Sequence, residues 1–196
     1  YDPDRARALL DQAGWTGRTE DGIRTRNGHA LIVHIPLKAS LSAAERTLWE
    51  QVQATARATG FDVRLENGDD TSILEREGHW DYDVRIGYWN TNTADVLRII
   101  FSSAFLGAAG VGGHHQNEAG FSDPTFDQIV NDALLTADPD KRRALYLQAQ
   151  TIAARNFLQI TTYPQSTRLA LSRAVHDVRL EPSLNVTSLY DAWVTR

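Results

Sequence analysis

The stretch Ala30–Leu65, ALIVHIPLKASLSAAERTLWEQVQATARATGFDVRL, decides the fold. Ala30 to Leu37 is β-branched and apolar, which reads as an inner strand ending in a loop at Lys38 to Ser40. Ser42-x-x-Glu45 is a capping box. After it Leu48, Trp49, Val52, Ala56 and Thr59 recur at helical spacing until Gly60 stops the run. Phe61 to Leu65 then alternates as a second strand. A strand, a helix and a strand with short connections predict a parallel crossover, because a parallel pair needs a helix to carry the chain back.

Working outward, Asp2 is placed to cap a first helix with Pro3 at its first position, and Ala6, Leu9, Leu10 and Ala13 form its apolar stripe before Gly14. Asp21-Gly22 and Asn27-Gly28 flank Ile23 to Arg26, a hairpin signal leading into the inner strand. Downstream, a short amphipathic helix is expected from about Thr71 to Glu77, with Glu75, Arg76 and Glu77 as an exposed charged face. Tyr82 to Tyr88 reads as another strand and Ala94 to Phe101 as a helix. Ser102 to Ser122 is a long loop rich in Gly, Ala, His and Asn, and loops of that length often carry function. Ser122-Asp123-Pro124 and Asp138-Pro139 open two helices expected to pack antiparallel. Leu158 to Tyr163 and Thr167 to Leu171 read as strands, followed by a polar tail. The fold class is α/β.

Composition bounds the function. The 196 residues are 42% hydrophobic and 23% charged, as in globular proteins. A net charge of -5 without a basic cluster argues against nucleic acid as a partner. No apolar run approaches the roughly 20 residues of a spanning helix. The absence of cysteine excludes disulfides, thiolate metal sites and cysteine nucleophiles. With Tyr1 first and no methionine anywhere, the expectation is a segment of a longer chain that begins upstream.

Several blocks together resemble the family 5 extracellular solute-binding proteins. They are Tyr1-Asp2-Pro3 with Ala13-Gly14-Trp15, the strand Ala30 to Leu37, Glu50-Gln51-Val52-Gln53 with Gly60-Phe61-Asp62-Val63, Trp80-Asp81-Tyr82-Asp83 and Gly87-Tyr88-Trp89. Phe121-Ser122-Asp123-Pro124, Asp138-Pro139, Arg142-Arg143 and Leu145-Tyr146 continue the family's order. The resemblance implies the C-terminal lobe of a type II periplasmic-binding-protein-like fold, a mixed sheet flanked by helices. Residues 1–165 would form this second lobe, and 166–196 would return toward a first lobe. It further implies capture of a peptide or peptide-like solute outside the cytoplasmic membrane, by a monomer that closes like a hinge and delivers to an ABC permease. No cofactor and no catalytic group are expected, and the location would be periplasmic or lipid-anchored at the cell surface.

A hinge-closing receptor needs polar and aromatic side chains on loops beside a rigid sheet. Tyr88, Trp89, Asn90, Thr91 and Asn92 come off a predicted strand and suit that role, with Asn117 and Tyr163 as further contacts. In peptide-binding relatives the first of these loops carries an aspartate for the ligand's α-amino group. Asn90 or Thr91 stands near that position here, and neither supplies the charge assistance an ammonium would gain from a carboxylate. Asn90 to Asn92 equally suit the cap of the following helix. Nickel-binding relatives have a histidine in the loop that here holds His114 and His115, so a nickel or metal-chelate receptor is the alternative. A secreted hydrolase would have to rest on Asp81 and Asp83, two carboxylates that share a face if they lie on a strand. No nucleophile elbow, zincin motif or nucleotide fingerprint supports it.

Overall fold

The computed structural model describes residues 1–87, 89, 91, 93–107, 116–162, 168–181 and 186–195. The chain divides into two compact units, one built on Tyr1–Gly87 and the other on Tyr88–Ala108 with Gln116–Arg196.

In the first unit, helix α1 (Pro3–Gln12) starts as the sequence predicts: the Asp2 carboxylate accepts the Arg5 N–H at 2.8 Å, with Pro3 in the first turn. Strands β1 (Gly17–Arg18), β2 (Arg24–Arg26) and β3 (His29–Ala30) form a small antiparallel sheet. The β2–β3 turn places Asn27 and Gly28 at φ 52° and 81°, the pair of left-handed residues that a tight hairpin requires. Strands β4 (Ile32–Lys38) and β5 (Asp62–Gly68) then pair in parallel, from Ile32 opposite Asp62 to Lys38 opposite Gly68. Helix α2 (Ala43–Arg57) is the crossover. Its capping box is complete, with Ser42 and Glu45 each satisfying the other's backbone N–H. Ile35, Leu37 and Val63 form the core, and Trp49, Ala56 and Phe61 pack against it with Val84 and Ile86.

Helix α3 (Asp70–Gly78), capped by Asp69, is two residues longer than expected and turns differently. Ile73 and Glu77, one turn apart, are its buried residues, so Glu77 does not belong to an exposed face. The expected strand at Tyr82 to Tyr88 is also corrected. Residues 82–87 run beside β4 without forming a regular strand. The Asp83 and Val84 N–H groups donate to the His34 carbonyl at 3.0 and 3.2 Å, and the His34 N–H donates to the Asp83 carboxylate at 2.8 Å instead of to a backbone oxygen. Two residues further along the same edge stands Pro36, which has no N–H to continue a ladder.

The core of the second unit is helical. Helix α4 (Val96–Phe101) and a 3-10 turn at Ser103–Phe105 precede α5 (Pro124–Leu135) and α6 (Pro139–Arg155). Asp123 and Asp138 cap the last two as predicted. Only residues 136–138 join them, so they run back along each other. Phe126, Val130, Ala149, Ala153, Ile100 and Phe101 are the buried cluster.

Helix α6 ends on Phe157 at φ 52°, with the Phe157 and Leu158 N–H groups donating to the Ala154 and Ala153 carbonyls. This closing motif normally places glycine where Phe157 stands, and a side chain there costs about 1 kcal/mol. The strands expected at Leu158 to Tyr163 and Thr167 to Leu171 do not form among their described residues, 158–162 and 168–171. Within the polar tail, β6 (Val175–His176) pairs with β9 (Trp193–Val194) and β7 (Arg179–Glu181) with β8 (Val186–Ser188). These are two antiparallel pairings of one hairpin, with Leu189 to Ala192 opposing only Asp177 and Val178 as a bulge. Among the described residues no helix is long and apolar enough to cross a membrane.

Candidate functional site

Of the residues expected to meet a ligand, Tyr88, Asn90, Asn92, Tyr163, His114 and His115 lie outside the described residues, while Trp89, Thr91 and Asn117 are described. Trp89 is 41% exposed, so a large aromatic surface is open to solvent. Thr91 Oγ1 accepts the Thr93 N–H at 3.2 Å, and Thr93 Oγ1 accepts the Asp95 N–H at 3.3 Å. Two consecutive hydroxyl turns therefore lead the chain into α4. The cap position of α4 is Asp95, not one of the asparagines. Its carboxylate turns to Arg98, taking Nε at 3.0 Å and Nη2 at 3.1 Å, and the guanidinium also lies over the Phe105 ring at 5.2 Å. Burial, aided by the negative charge of Asp95, pushes the Tyr146 phenol above its ordinary range.

Asn117 occupies a different place from the one expected. Its side chain is fully buried, and its amide nitrogen donates to the carbonyls of Ser102 and Phe121 at 2.9 and 2.8 Å. The amide oxygen accepts the Phe121 N–H at 3.4 Å. An amide with both ends engaged by backbone closes the loop ahead of α5 and offers no group to a ligand.

The first unit carries two charged networks that sequence reasoning missed. Glu77, 4% exposed, accepts a hydrogen bond from Lys38 Nζ at 3.1 Å, and the Arg85 guanidinium forms an ion pair with the same oxygen, its Nε 3.1 Å away. A carboxylate buried this deeply needs such partners to offset the loss of water around it. Lys38 is the last residue of β4, and the carboxyl ends of parallel strands are where open α/β folds place ligands. The signal available was the spacing of Ile73 and Glu77, which puts both on one helix face.

The other network links His34, Glu66, Arg76, Asp81 and Asp83. Glu66 accepts from His34 Nδ1 at 2.7 Å and from Arg76 Nη2 at 2.6 Å, and Arg76 Nε reaches Asp81 at 2.7 Å. Since a carboxylate only accepts, Nδ1 of His34 carries the proton. The hydrogen bond from His34 is the main cause that holds the Glu66 carboxyl below the ordinary glutamate range; burial opposes it, and the hydrogen bond and charge of Arg76 add to it. A folded-state value below the unfolded one contributes stability that is present above the glutamate range and lost as the pH falls through the folded value. Thermal unfolding at stepped pH should therefore show a shallower acid limb for Glu66→Gln than for the unaltered protein. An identical acid limb would mean that this bridge contributes nothing.

Asp81 and Asp83 are thus both committed, one to Arg76 and the other to the His34 backbone, and the acid and base pair that a hydrolase needs is not free here. Among the described residues no group of three or more His, Asp or Glu side chains could hold a metal ion.

The family model described as bacterial extracellular solute-binding proteins, family 5, middle, matches residues 1–109, more than half of the chain. The chain belongs to this family. Its curated relatives include the nickel-binding periplasmic protein of Escherichia coli K12, 33% identical over 149 residues, which are 74% of this chain and 27% of that protein. Di/tripeptide-binding protein 1 of Pseudomonas aeruginosa is 26% identical over 195 residues, 99% of this chain and 34% of the relative. This family 5 chain accordingly spans about a quarter to a third of the length of the curated relatives it matches.

Solved structures agree in fold. The oligopeptide-binding protein AppA of Bacillus subtilis, in complex with a nonapeptide, superposes with a TM-score of 0.81 at 18% identity, over all of this chain and 38% of its own. NikA of Brucella suis, in complex with Fe(III)-EDTA, gives 0.58 at 27% identity over 75% of this chain and 29% of that one. The α/β reading and the periplasmic-binding-protein architecture expected from the sequence hold. The family is one of binding proteins that act outside the cytoplasm.

Proposed function

We propose that this chain is part of the second lobe of a two-lobed receptor that captures a peptide or peptide-like solute outside the cytoplasmic membrane and delivers it, as a monomer, to an ABC permease. The observation that carries this is likeness along the full chain to peptide binders, in sequence over 99% of its length and in fold over all of it. Residues 1–165 belong to the lobe in this reading, and 166–196 return toward the other. Trp89 and Thr91, with Tyr88, Asn90, Asn92 and Tyr163, supply its side of the pocket, while the buried Asn117 only shapes the loop. Closing the pocket desolvates the solute, and no bond need be made or broken.

A second reading is a nickel or metal-chelate receptor, favoured by the 33% identity to the nickel-binding relative. His114 and His115 would then meet the metal or its chelator. A thermal-shift panel on the full-length receptor separates the two readings, using di- to hexapeptides, glutathione, sugars, and nickel with and without histidine. A ligand at a hundred times its dissociation constant adds about 2.7 kcal/mol of apparent stability. Stabilisation by peptides is the expected outcome. Stabilisation by nickel alone, or by its histidine chelate, would transfer the function to the second reading, and silence across the panel would overturn the substrate class.

A further inference from the structure

The sequence holds two Asn-Gly dipeptides, Asn27-Gly28 and Asn67-Gly68, and the structure separates them. We infer that Asn27 is a site of spontaneous modification, at which the Gly28 backbone nitrogen closes on the Asn27 side-chain amide and converts the residue to aspartate and isoaspartate, while Asn67 is spared. In the first step the Gly28 nitrogen bonds to Asn27 Cγ, the bond from Cγ to Nδ2 breaks, and the proton lost by Gly28 leaves with the amide group as ammonia. The resulting succinimide ring takes up water. Attack at Cγ reopens the ring to aspartate, and attack at the main-chain carbonyl leaves the chain linked through Cγ as isoaspartate. Water is the co-reactant, and nothing is oxidised or reduced.

The reaction needs an accessible backbone nitrogen with no side chain over it and an asparagine free to swing onto it. Asn27 and Gly28 are exposed, and a Cβ built on Gly28 would meet nothing within 4 Å. The native turn, at φ 52° and 81°, has to open before the ring can close. That opening is local, because the two residues lie between the paired positions and β3, two residues long, meets β2 at Thr25 opposite Ala30 and Arg26 opposite His29. Segments so lightly tied open at a fraction of the global unfolding free energy. Asn67 and Gly68 instead stand inside the β5 ladder, opposite Leu37 and Lys38. The Asn67 side-chain oxygen accepts Arg46 Nη1 at 2.6 Å, and a Cβ on Gly68 would fall 2.7 Å from the buried Ile73. Releasing Asn67 therefore means parting β4 from β5 at the core of the unit. The two products at position 27 differ in kind. Aspartate tolerates the left-handed turn much as asparagine does. Isoaspartate routes the main chain through Cβ and adds a backbone atom to a two-residue turn, so Arg26 and His29 lose their register.

The test holds the full-length receptor at mildly alkaline pH, folded and in urea, and follows the peptides containing residues 27 and 67 by mass spectrometry for conversion of amide to acid. In the folded receptor Asn27 should convert at least about tenfold faster than Asn67, the ratio set by their different local opening. In urea the two rates should converge, since both dipeptides then share one chemistry. Asn27→Gly keeps a turn that accepts positive φ at both positions and should abolish conversion in its peptide. Equal rates in the folded receptor, or an Asn27 that reacts in urea alone, would overturn the inference. A ratio that persisted undiminished in urea would overturn it too, by assigning the difference to local sequence. Hydrogen exchange of β2 and β3 should be faster in the isoaspartate fraction than in Asn27→Asp, and equal exchange would refute the effect on the turn.

Discussion

Arg24→Leu is expected to destabilise the first unit by about 3 kcal/mol, because it removes a buried cation that satisfies three separate backbone carbonyls. The Arg24 side chain is only 3% exposed. Its Nε donates to the Thr59 carbonyl at 3.0 Å, and its two terminal nitrogens donate to the Trp15 and Arg7 carbonyls at 2.6 and 3.3 Å. Asp11 completes the set and supplies the countercharge. One side chain thereby ties α1, the turn after it and the end of α2 to β2. Gly60 is part of the same construction: at φ 105° it has a conformation suited to glycine, and a Cβ there would fall 2.5 Å from Arg24 Cγ. In Arg24→Leu the exposed Asp11 regains water, whereas the carbonyl of the buried Thr59 has none within reach. Arg24→Lys should recover only part of the loss, since the three donors of an ammonium sit on one nitrogen and cannot reach carbonyls that the guanidinium meets from three separate nitrogens. Urea unfolding measures both variants, and a change below about 0.5 kcal/mol in Arg24→Leu would refute the assignment.

Phe126→Ala should cost the second unit about 3–5 kcal/mol, the usual range for emptying a buried phenylalanine site. Phe126 is fully buried, and its ring meets Phe121 and Phe101 edge to face, with centroids at 5.6 and 6.2 Å. Val130, Ala149 and Ile100 share the cluster. Because the site is enclosed by three separate helices, its walls cannot all collapse into the space left behind. Hydrogen exchange should report the loss as deprotection of α5 and α6. Phe126→Leu, which refills most of the volume, should cost less than half as much, and equal losses in the two variants would argue against a cavity effect.

Much of the fold was legible because its signals are local. Asp2, Ser42, Asp123 and Asp138 each cap the helix predicted for them, since a cap acts on N–H groups two or three residues away. The Asn27-Gly28 turn and the crossover between Ala30 and Leu65 were legible for the same reason, as both periodicity and turn chemistry lie within a few residues. The candidate site was legible only as a segment. Sequence placed Trp89 on a polar stretch after the sheet, where the structure leaves it exposed. It did not separate Asn117 from the residues proposed to face a ligand, because an asparagine in a Gly-rich loop looks the same whether its amide meets a ligand or the carbonyls of Ser102 and Phe121.

The sequence by itself determined the α/β class, the order of the helices with the caps at Asp2, Ser42, Asp123 and Asp138, and, through blocks spread along the chain, the family. Tertiary structure alone decided which charges are buried and which extended segments become strands. Glu77 is buried because α3 lies with that face against the sheet, and Arg24 because three carbonyls distant in sequence converge on it. Residues 82–87 stop short of being a strand because Asp83 occupies the His34 N–H and Pro36 offers none. Propensity and pattern describe a residue's neighbours along the chain, whereas burial and strand pairing depend on groups far off in sequence, and only folding brings these within hydrogen-bond reach.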